Sequence, residues 1–419
     1  MDESKDIILG IDGIPYNLMD DLSDKGVMPN FQKLKEENIF TVLKSSIPHI
    51  SSVSWSSIIT GKNPGEHGIY GFTDIIDGTY SLQYPNFNAL KSKPFWEAYN
   101  GSKHVIINVP MTYPVKKMNG VHIAGFVALD LEKSVFPKDL IPILKEMNYQ
   151  IDVDTKIAKK QSMDQLFKEV FSVLEIRKNA YQLLWDKYDW DTFMFIITGS
   201  DRLGHYGWHI YENKSHNLHG RFLEFFKEID EIIGEIVDRI SEDDTLIILS
   251  DHGMEKIRQN VNLNTYLHRE GFLNLSPSES LKRYNRLTKD TKAFVLDPGR
   301  VYLNRENKYP RGSVKEGEIR GLLEDLKEIL YDLEYQDTPV IKKIYEKEEI
   351  YHGHMIHKAP DLICIENPGF RLKGAIGRKK LFEKDIFSGK HNEKAFILTN
   401  KELASNSPSV QDIVNLLTY

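Results

Sequence analysis

Three carboxylates and three histidines of this chain stand beside glycines in short segments: Asp12-Gly13, Asp201-Arg-Leu-Gly-His205, Asp251-His252-Gly253 and Gly389-Lys-His391. Carboxylate oxygen and imidazole nitrogen are natural zinc ligands, and manganese and iron accept the same set. Singly, each residue has a plainer use, since aspartate caps helices and turns chains and most histidines pack in cores or lie in solvent. Together they form a set that the fold must gather from positions 12 to 391 before it can act. A further segment, Ser51-Ser-Val-Ser-Trp55-Ser-Ser-Ile-Ile-Thr60-Gly61, begins with small hydroxyl residues and runs into apolar ones. That pattern marks a helix start, and Gly61 and Pro64 close the helix. A serine there faces free backbone N–H groups and the positive end of the helix dipole, where a phosphate group also settles. Its plain alternative is an ordinary N-cap.

The elements that must position these residues alternate between short β-branched runs and amphipathic stretches, the pattern of a parallel sheet covered on both faces. The spacing predicts strands over Ile7–Asp12, Val105–Val109, Thr192–Thr198 and Thr245–Ser250, each nearly continuous in apolar residues as for strands buried on both sides. It predicts helices over Met163–Tyr188, His219–Ile240 and Ser313–Leu333. In the second of these, Phe222, Phe225, Phe226, Ile229, Ile232, Ile233 and Ile236 form a core-facing stripe. The acidic and histidine segments then follow strands or lie in glycine-bearing loops, and ligands of open α/β sheets bind outside the carboxyl ends of the strands. Residues 125–190 and 276–317 fit the alternation poorly, the latter broken by Pro298-Gly299 and Pro310-Arg311-Gly312. They read as insertions or a cap on one α/β domain that spans residues 1–419.

Composition sets the outer limits. The 419 residues are 41% hydrophobic and 27% charged, with a net charge of −7. An acidic balance argues against a nucleic-acid polymer as partner, while a small phosphorylated substrate stays compatible because metal ions supply positive charge locally. The lone Cys364 lies in an apolar run and reads as a core residue. No apolar stretch approaches the roughly 20 residues of a membrane span, and residues 1–6 lead straight into a strand without a signal-peptide pattern. The expectation is a cytoplasmic protein without a membrane partner.

The Ser51 segment resembles the nucleophile region of type I phosphodiesterases and nucleotide pyrophosphatases in the alkaline phosphatase superfamily. The resemblance rests on Ser51, Trp55, Thr60-Gly61, Pro64 and His67-Gly68 at the family's spacing. It continues through Asp201-x3-His205, Asp251-His252-Gly253 and Gly389-x-His391, with weaker matches at Asn108-Val-Pro110 and Ala359-Pro-Asp361. It implies an alkaline phosphatase-like α/β core with a mostly parallel sheet, helices on both faces and an inserted cap. It also implies two divalent metal ions, zinc before manganese. Asp201, His205 and His391 would hold one, and Asp12, Asp251, His252 and the Ser51 oxygen the other. Ser51 would then be the nucleophile and form a phosphoseryl intermediate that water releases. Two positions depart from the nucleotide pyrophosphatase pattern: Val53 stands where proline is usual, and Phe72 where an asparagine contacts phosphate. They bring the chain closer to the prokaryotic phosphohydrolase or phosphomutase branch.

The expected function is cleavage of phosphodiester or pyrophosphate bonds in a small phosphorylated substrate. A phosphomonoesterase or phosphomutase of the same superfamily and a catalytically inactive metal-binding or regulatory protein are the alternatives. A sulfatase would need the proline and arginine that the Ser51 segment lacks. Arg202, Lys62, Lys116, Lys117 and Arg371 could meet a charged substrate, and Tyr206 and Trp208 could stack on a ring, though all of them also suit ordinary surface or packing roles.

Overall fold

The computed structural model describes residues 4–99, 101–154, 162–278, 280 and 283–418. Residues 155–161 of the first expected insertion, and 279, 281 and 282 of the second, therefore lie outside the described residues. The chain divides into two compact units, one of Met1–Lys62, Asn86–Lys256 and Ile386–Tyr419, the other of Asn63–Pro85 and Ile257–Asp385.

The first unit contains strands β1 (Asp6–Ile11), β2 (Ile39–Lys44), β3 (His104–Val109), β4 (Gly120–Ala124), β5 (Val135–Phe136), β6 (Thr192–Ile197), β7 (Thr245–Leu249), β8 (Gly253–Lys256), β9 (Gly389–Asn392) and β10 (Lys394–Thr399). Among the described residues, eight of these form one sheet in the order β2-β10-β7-β1-β6-β3-β4-β5. The five strands β7, β1, β6, β3 and β4 run parallel, and β10 and β5 join antiparallel. The helices that matter to the site are α1 (Ser51–Thr60), α2 (Met163–Lys187), α3 (Gly199–Glu212) and α4 (His219–Val237).

Side-chain alternation explains why both faces are apolar. Ile7, Leu9 and Ile11 of β1, Phe193, Phe195 and Ile197 of β6, and Leu246 and Ile248 of β7 enter one core with the α4 stripe. Their alternates Ile8, Met194, Ile196, Ile247 and Leu249 enter another core with Trp55, Ile58 and Ile59 of α1. Every residue of β1, β3, β6 and β7 is buried, as continuous apolar strands in a doubly covered sheet require. Three of the four expected strands stop one residue early, which leaves Asp12, Thr198 and Ser250 as the first residues beyond the sheet.

The second unit carries an antiparallel sheet in the order Ala293–Leu296, Arg300–Leu303, Leu362–Glu366, Ile341–Glu346. Asp297-Pro298-Gly299 is the turn of its first hairpin, so the breakers in this stretch serve a strand pair. The helix expected over Ser313–Leu333 is shorter, at Ile319–Tyr331, after a 3-10 turn at Glu316–Glu318. The Lys315 N–H donates to the Glu318 side chain at 2.8 Å, which caps the start there, while Val314 bridges to Arg305 in extended form. Cys364 is buried in a strand of this sheet, and burial pushes its thiol up out of the reactive range. Among the described residues no helix is long and apolar enough to cross a membrane.

Candidate active site

Three neighbouring parallel strands deliver the three carboxylates. Asp12 directly follows β1, Asp251 follows β7 by two residues, and Asp201 lies in the first turn of α3 just after β6. His205 stands one helical turn beyond Asp201, where i and i+4 share a face. His252 adjoins Asp251, and the β8–β9 pair sets His391 opposite Met254. Two glycines permit the approach. Gly13 has φ 73°, and a Cβ there would lie 2.8 Å from Asp201 Oδ1; its N–H donates to Asp251 Oδ1 at 3.1 Å. A Cβ on Gly389 would lie 2.2 Å from the Gly204 carbonyl oxygen, so only glycine lets β9 bring His391 against α3.

The result is two clusters, Asp201/His205/His391 and Asp12/Asp251/His252, with the ligand atoms of each within 4.8 Å of one another. His391 Nε2 lies 3.2 Å from Asp201 Oδ1 and 2.9 Å from His205 Nε2. His252 Nε2 lies 3.2 Å from Asp251 Oδ2 and 3.8 Å from Asp12 Oδ1. The His252 and His391 rings stack with centroids 3.6 Å apart, which ties the clusters together.

In all three histidines Nδ1 lies against a backbone carbonyl: Gly389 at 3.0 Å for His205, Gly253 at 3.1 Å for His252 and His49 at 3.1 Å for His391. An Nδ1–H donating to that carbonyl leaves the Nε2 lone pair aimed at the carboxylates, the orientation of metal-binding imidazoles. Burial lowers His252 and His391 to about 4, which keeps both rings neutral at neutral pH. Asp12 Oδ1 and Asp251 Oδ2 are buried without a hydrogen-bond partner among the described residues. Burial and repulsion from Asp251 and Asp201 hold the Asp12 carboxyl well above the usual range. Burial also raises Asp251, with His252 opposing. At Asp201 burial pushes upward too, but His205, His391 and Arg202 outweigh it and hold the carboxyl well below the usual range. Neutral imidazoles, crowded carboxylates and unpartnered buried oxygens make a donor set that fits divalent cations.

Ser51 occupies the first position of α1, with Ile50 as the N-cap residue. Its hydroxyl does not cap the helix. Ser51 Oγ lies 3.0 Å from His252 Nε2, at the nitrogen that faces Asp12 and Asp251. One turn on, Trp55 Nε1–H donates to Asp12 Oδ2 at 2.9 Å, which leaves Oδ1 for the cluster. The Ser54 hydroxyl is engaged elsewhere, since its Oγ pairs with Ser45 and Ser46 at 3.0 and 2.8 Å. In the sequence Trp55 is marked only by its spacing. Its place one turn from Ser51 was the available signal for a partner of the same cluster.

A largely buried polar chain backs Asp201. Arg202 donates from one terminal nitrogen to Asp201 Oδ2 at 2.7 Å and from the other to Asp152 Oδ2 at 2.6 Å. Thr198 Oγ1 donates to Asp152 Oδ1 at 3.3 Å and accepts from the buried Arg177 at 2.6 Å. Arg202 was a candidate substrate contact; the structure gives both terminal nitrogens to carboxylates. Lys116 pairs with Glu97 at 3.5 Å, and Arg371, in the second unit, with Asp385 at 3.5 Å. Trp208 is buried against Tyr211, while Tyr206 packs on Phe387 with centroids 4.8 Å apart. Asp361 is also structural, taking Arg305 at 2.5 Å and the Leu303 N–H at 2.8 Å.

The family model for type I phosphodiesterase / nucleotide pyrophosphatase matches residues 7–393. No curated protein sequence matches the chain. Among solved structures, phosphonoacetate hydrolase from Sinorhizobium meliloti 1021 in complex with phosphonoformate superposes with a TM-score of 0.65 at 14% identity, over 99% of this chain and 95% of that one. Murine ectonucleotide pyrophosphatase / phosphodiesterase 5 gives 0.55 at 14% identity, over 99% of this chain and 94% of that one. At such identities the likeness is one of fold, and it is the alkaline phosphatase-like mixed α/β fold described above. The family match covers both donor clusters, and the chain belongs to the type I phosphodiesterase / nucleotide pyrophosphatase family.

Proposed function

We propose that the chain is a two-metal phosphohydrolase that cleaves phosphodiester or pyrophosphate bonds of small substrates, with Ser51 as nucleophile. The observation that carries this reading is the Ser51 hydroxyl 3.0 Å from His252 Nε2, inside a cluster whose other donors are Asp12 and Asp251. Divalent ions, zinc first among them, held by Asp201/His205/His391 and by Asp12/Asp251/His252, would supply positive charge at the attacking and leaving oxygens of an in-line displacement. Ser51 Oγ attacks phosphorus and gives up its proton, the bond to the leaving oxygen breaks, and a phosphoseryl intermediate remains for water to hydrolyse. The N-terminus of α1 favours the negative charge that collects there. Trp55 and the three backbone carbonyls hold Asp12 and the imidazoles in place, so that little reorganisation accompanies reaction.

Phosphate monoesters carry one more negative charge than diesters, and α1 contains no cationic side chain. Diesters and pyrophosphates should therefore turn over faster than monoesters. The test is a panel of bis(p-nitrophenyl) phosphate, p-nitrophenyl phosphate and a nucleoside triphosphate with metal-loaded protein. An excess of monoesterase activity would reverse the preference, and metal-independent rates on all three would remove the mechanism.

A further inference from the structure

We propose that the flank of the site at His205 is a leaving-group pocket for an uncharged aromatic alcohol, with Phe126 and Phe387 as its specificity-determining side chains. The inference rests on the phosphohydrolase reading above. In an in-line displacement the leaving oxygen departs opposite the attacking one. Ser51 approaches from Asp12, Asp251 and His252, so the leaving oxygen emerges at Asp201, His205 and His391. His205 also forms part of the wall of a cavity of about 330 Å³, together with Phe126, Tyr206, Phe387, Arg202 and Asp152.

The chemistry of that wall is specific. The Phe387 ring lies 5.3 Å from the His205 ring and 4.8 Å from Tyr206, so an aromatic surface begins at the cluster itself. The Phe126 ring is backed by the Arg202 guanidinium at 4.6 Å. A second cavity of about 420 Å³ shares Phe126 and Asp152 with the first. At its rim Val127 and Leu129 are 56% and 82% exposed, and Ile386, next to Phe387, is 51% exposed. Apolar side chains left in solvent around a pocket mark a surface that a ligand covers. Charge narrows the class further. Arg202 is the one cation among the described lining residues of the first cavity, and Asp201 and Asp152 already take its two terminal nitrogens. A departing pyrophosphate would meet rings, Asp152 and a guanidinium already paired with two carboxylates, at a desolvation cost that a neutral ring avoids. In the step itself the Ser51 Oγ–P bond forms and the P–O bond to the alcohol breaks. The electron pair stays on the alcohol oxygen, which takes a proton from water and leaves as the neutral alcohol, while the Ser51 proton passes to solvent.

The test compares two methyl phosphodiesters whose leaving alcohols have equal acidity, one a phenol and one an aliphatic fluoroalcohol, so that intrinsic reactivity cancels. The wild type should favour the aryl ester in kcat/KM. Phe126→Ala and Phe387→Ala should each lower the aryl-to-alkyl ratio about tenfold, a shift typical of lost pocket contacts. Phe387→Leu keeps an apolar side chain and guards against a folding defect, and it should lower the ratio as well. An unchanged ratio in all three variants overturns the pocket. Should the wild type hydrolyse neither ester, the phosphohydrolase reading fails instead. Calorimetry of phenylphosphonate against methylphosphonate on the metal-loaded protein then still decides the pocket, with equal affinities counting against it.

Discussion

The two donor clusters differ most in their exposure. Asp12, Asp251 and His252 are fully buried, closed over by α1 and by the Trp55 hydrogen bond. In the other cluster the side chains of His205 and His391 each keep 15% exposure, and His205 borders a cavity. The sealed cluster grows from strand ends and the first turn of a helix packed on the sheet, so its geometry is set by the core. The open cluster is assembled from a helix turn and a two-stranded ribbon, and the Arg202–Asp152 pair holds its carboxylate. Under the proposed mechanism this difference would let one side fix the nucleophile and the other exchange leaving group and water.

The largest effect should come from the sealed side. Ser51→Ala should lower turnover by about a thousandfold or more while the protein folds and retains its metal. Ser52→Ala and Ser54→Ala should lose far less, because the hydroxyl bonded to His252 is that of Ser51. Near-normal turnover in Ser51→Ala, measured beside a melting curve, would remove the covalent step. Metal removal comes next. Elemental analysis should find about two divalent ions per chain, and a graded chelator should take the ion of the open cluster first, with hydrolysis lost by the end. Loss of both ions in a single step would break the contrast between the clusters.

Arg202→Met sharpens the same contrast. Removal of a partner that orients a ligand commonly weakens metal binding by about 10- to 100-fold. Titration of the metal-free variant should show that loss in one class of site and an unaltered second class. Equal weakening of both classes would show that Arg202 acts on the whole centre.

The smallest effect separates the site from its scaffold. His104 and His122 are buried on β3 and β4, and burial lowers them to about 4 and about 3. Both stay neutral in the folded protein, whereas the unfolded chain binds protons below about 6.5. Their contribution is whole above that pH and is lost as pH falls from about 6.5 towards the folded values. His122→Phe should flatten the fall in melting temperature across that window without altering metal stoichiometry. An unchanged slope would assign the acid loss to other groups.

Much of the grouping was legible because its members obey local rules. Asp12, Asp201 and Asp251 follow apolar strands, His205 lies one turn from Asp201, and the hydroxyl run opens a helix at Ser51. The helix start expected at Ser313 failed for an equally local reason, since the Lys315–Glu318 cap lies further along the chain and Val314 is drawn into a bridge. Ser51 as N-cap and Arg202 as substrate contact could not be judged locally, because the groups that claim these side chains lie far away in the chain.

Periodicity and strand-end position thus determined by themselves the mixed α/β class, the buried parallel strands and where the six carboxylates and histidines stand in the chain, because burial and hydrogen bonding act on every few residues of chain. Only the tertiary structure decided which nitrogen each histidine turns inward, that Trp55 anchors Asp12, that Arg202 is taken up by Asp201 and Asp152, and that Phe126 and Phe387 line a cavity beside His205. Those outcomes depend on pairs up to hundreds of residues apart, and only the strand order and the packing of helices on the sheet bring such pairs together.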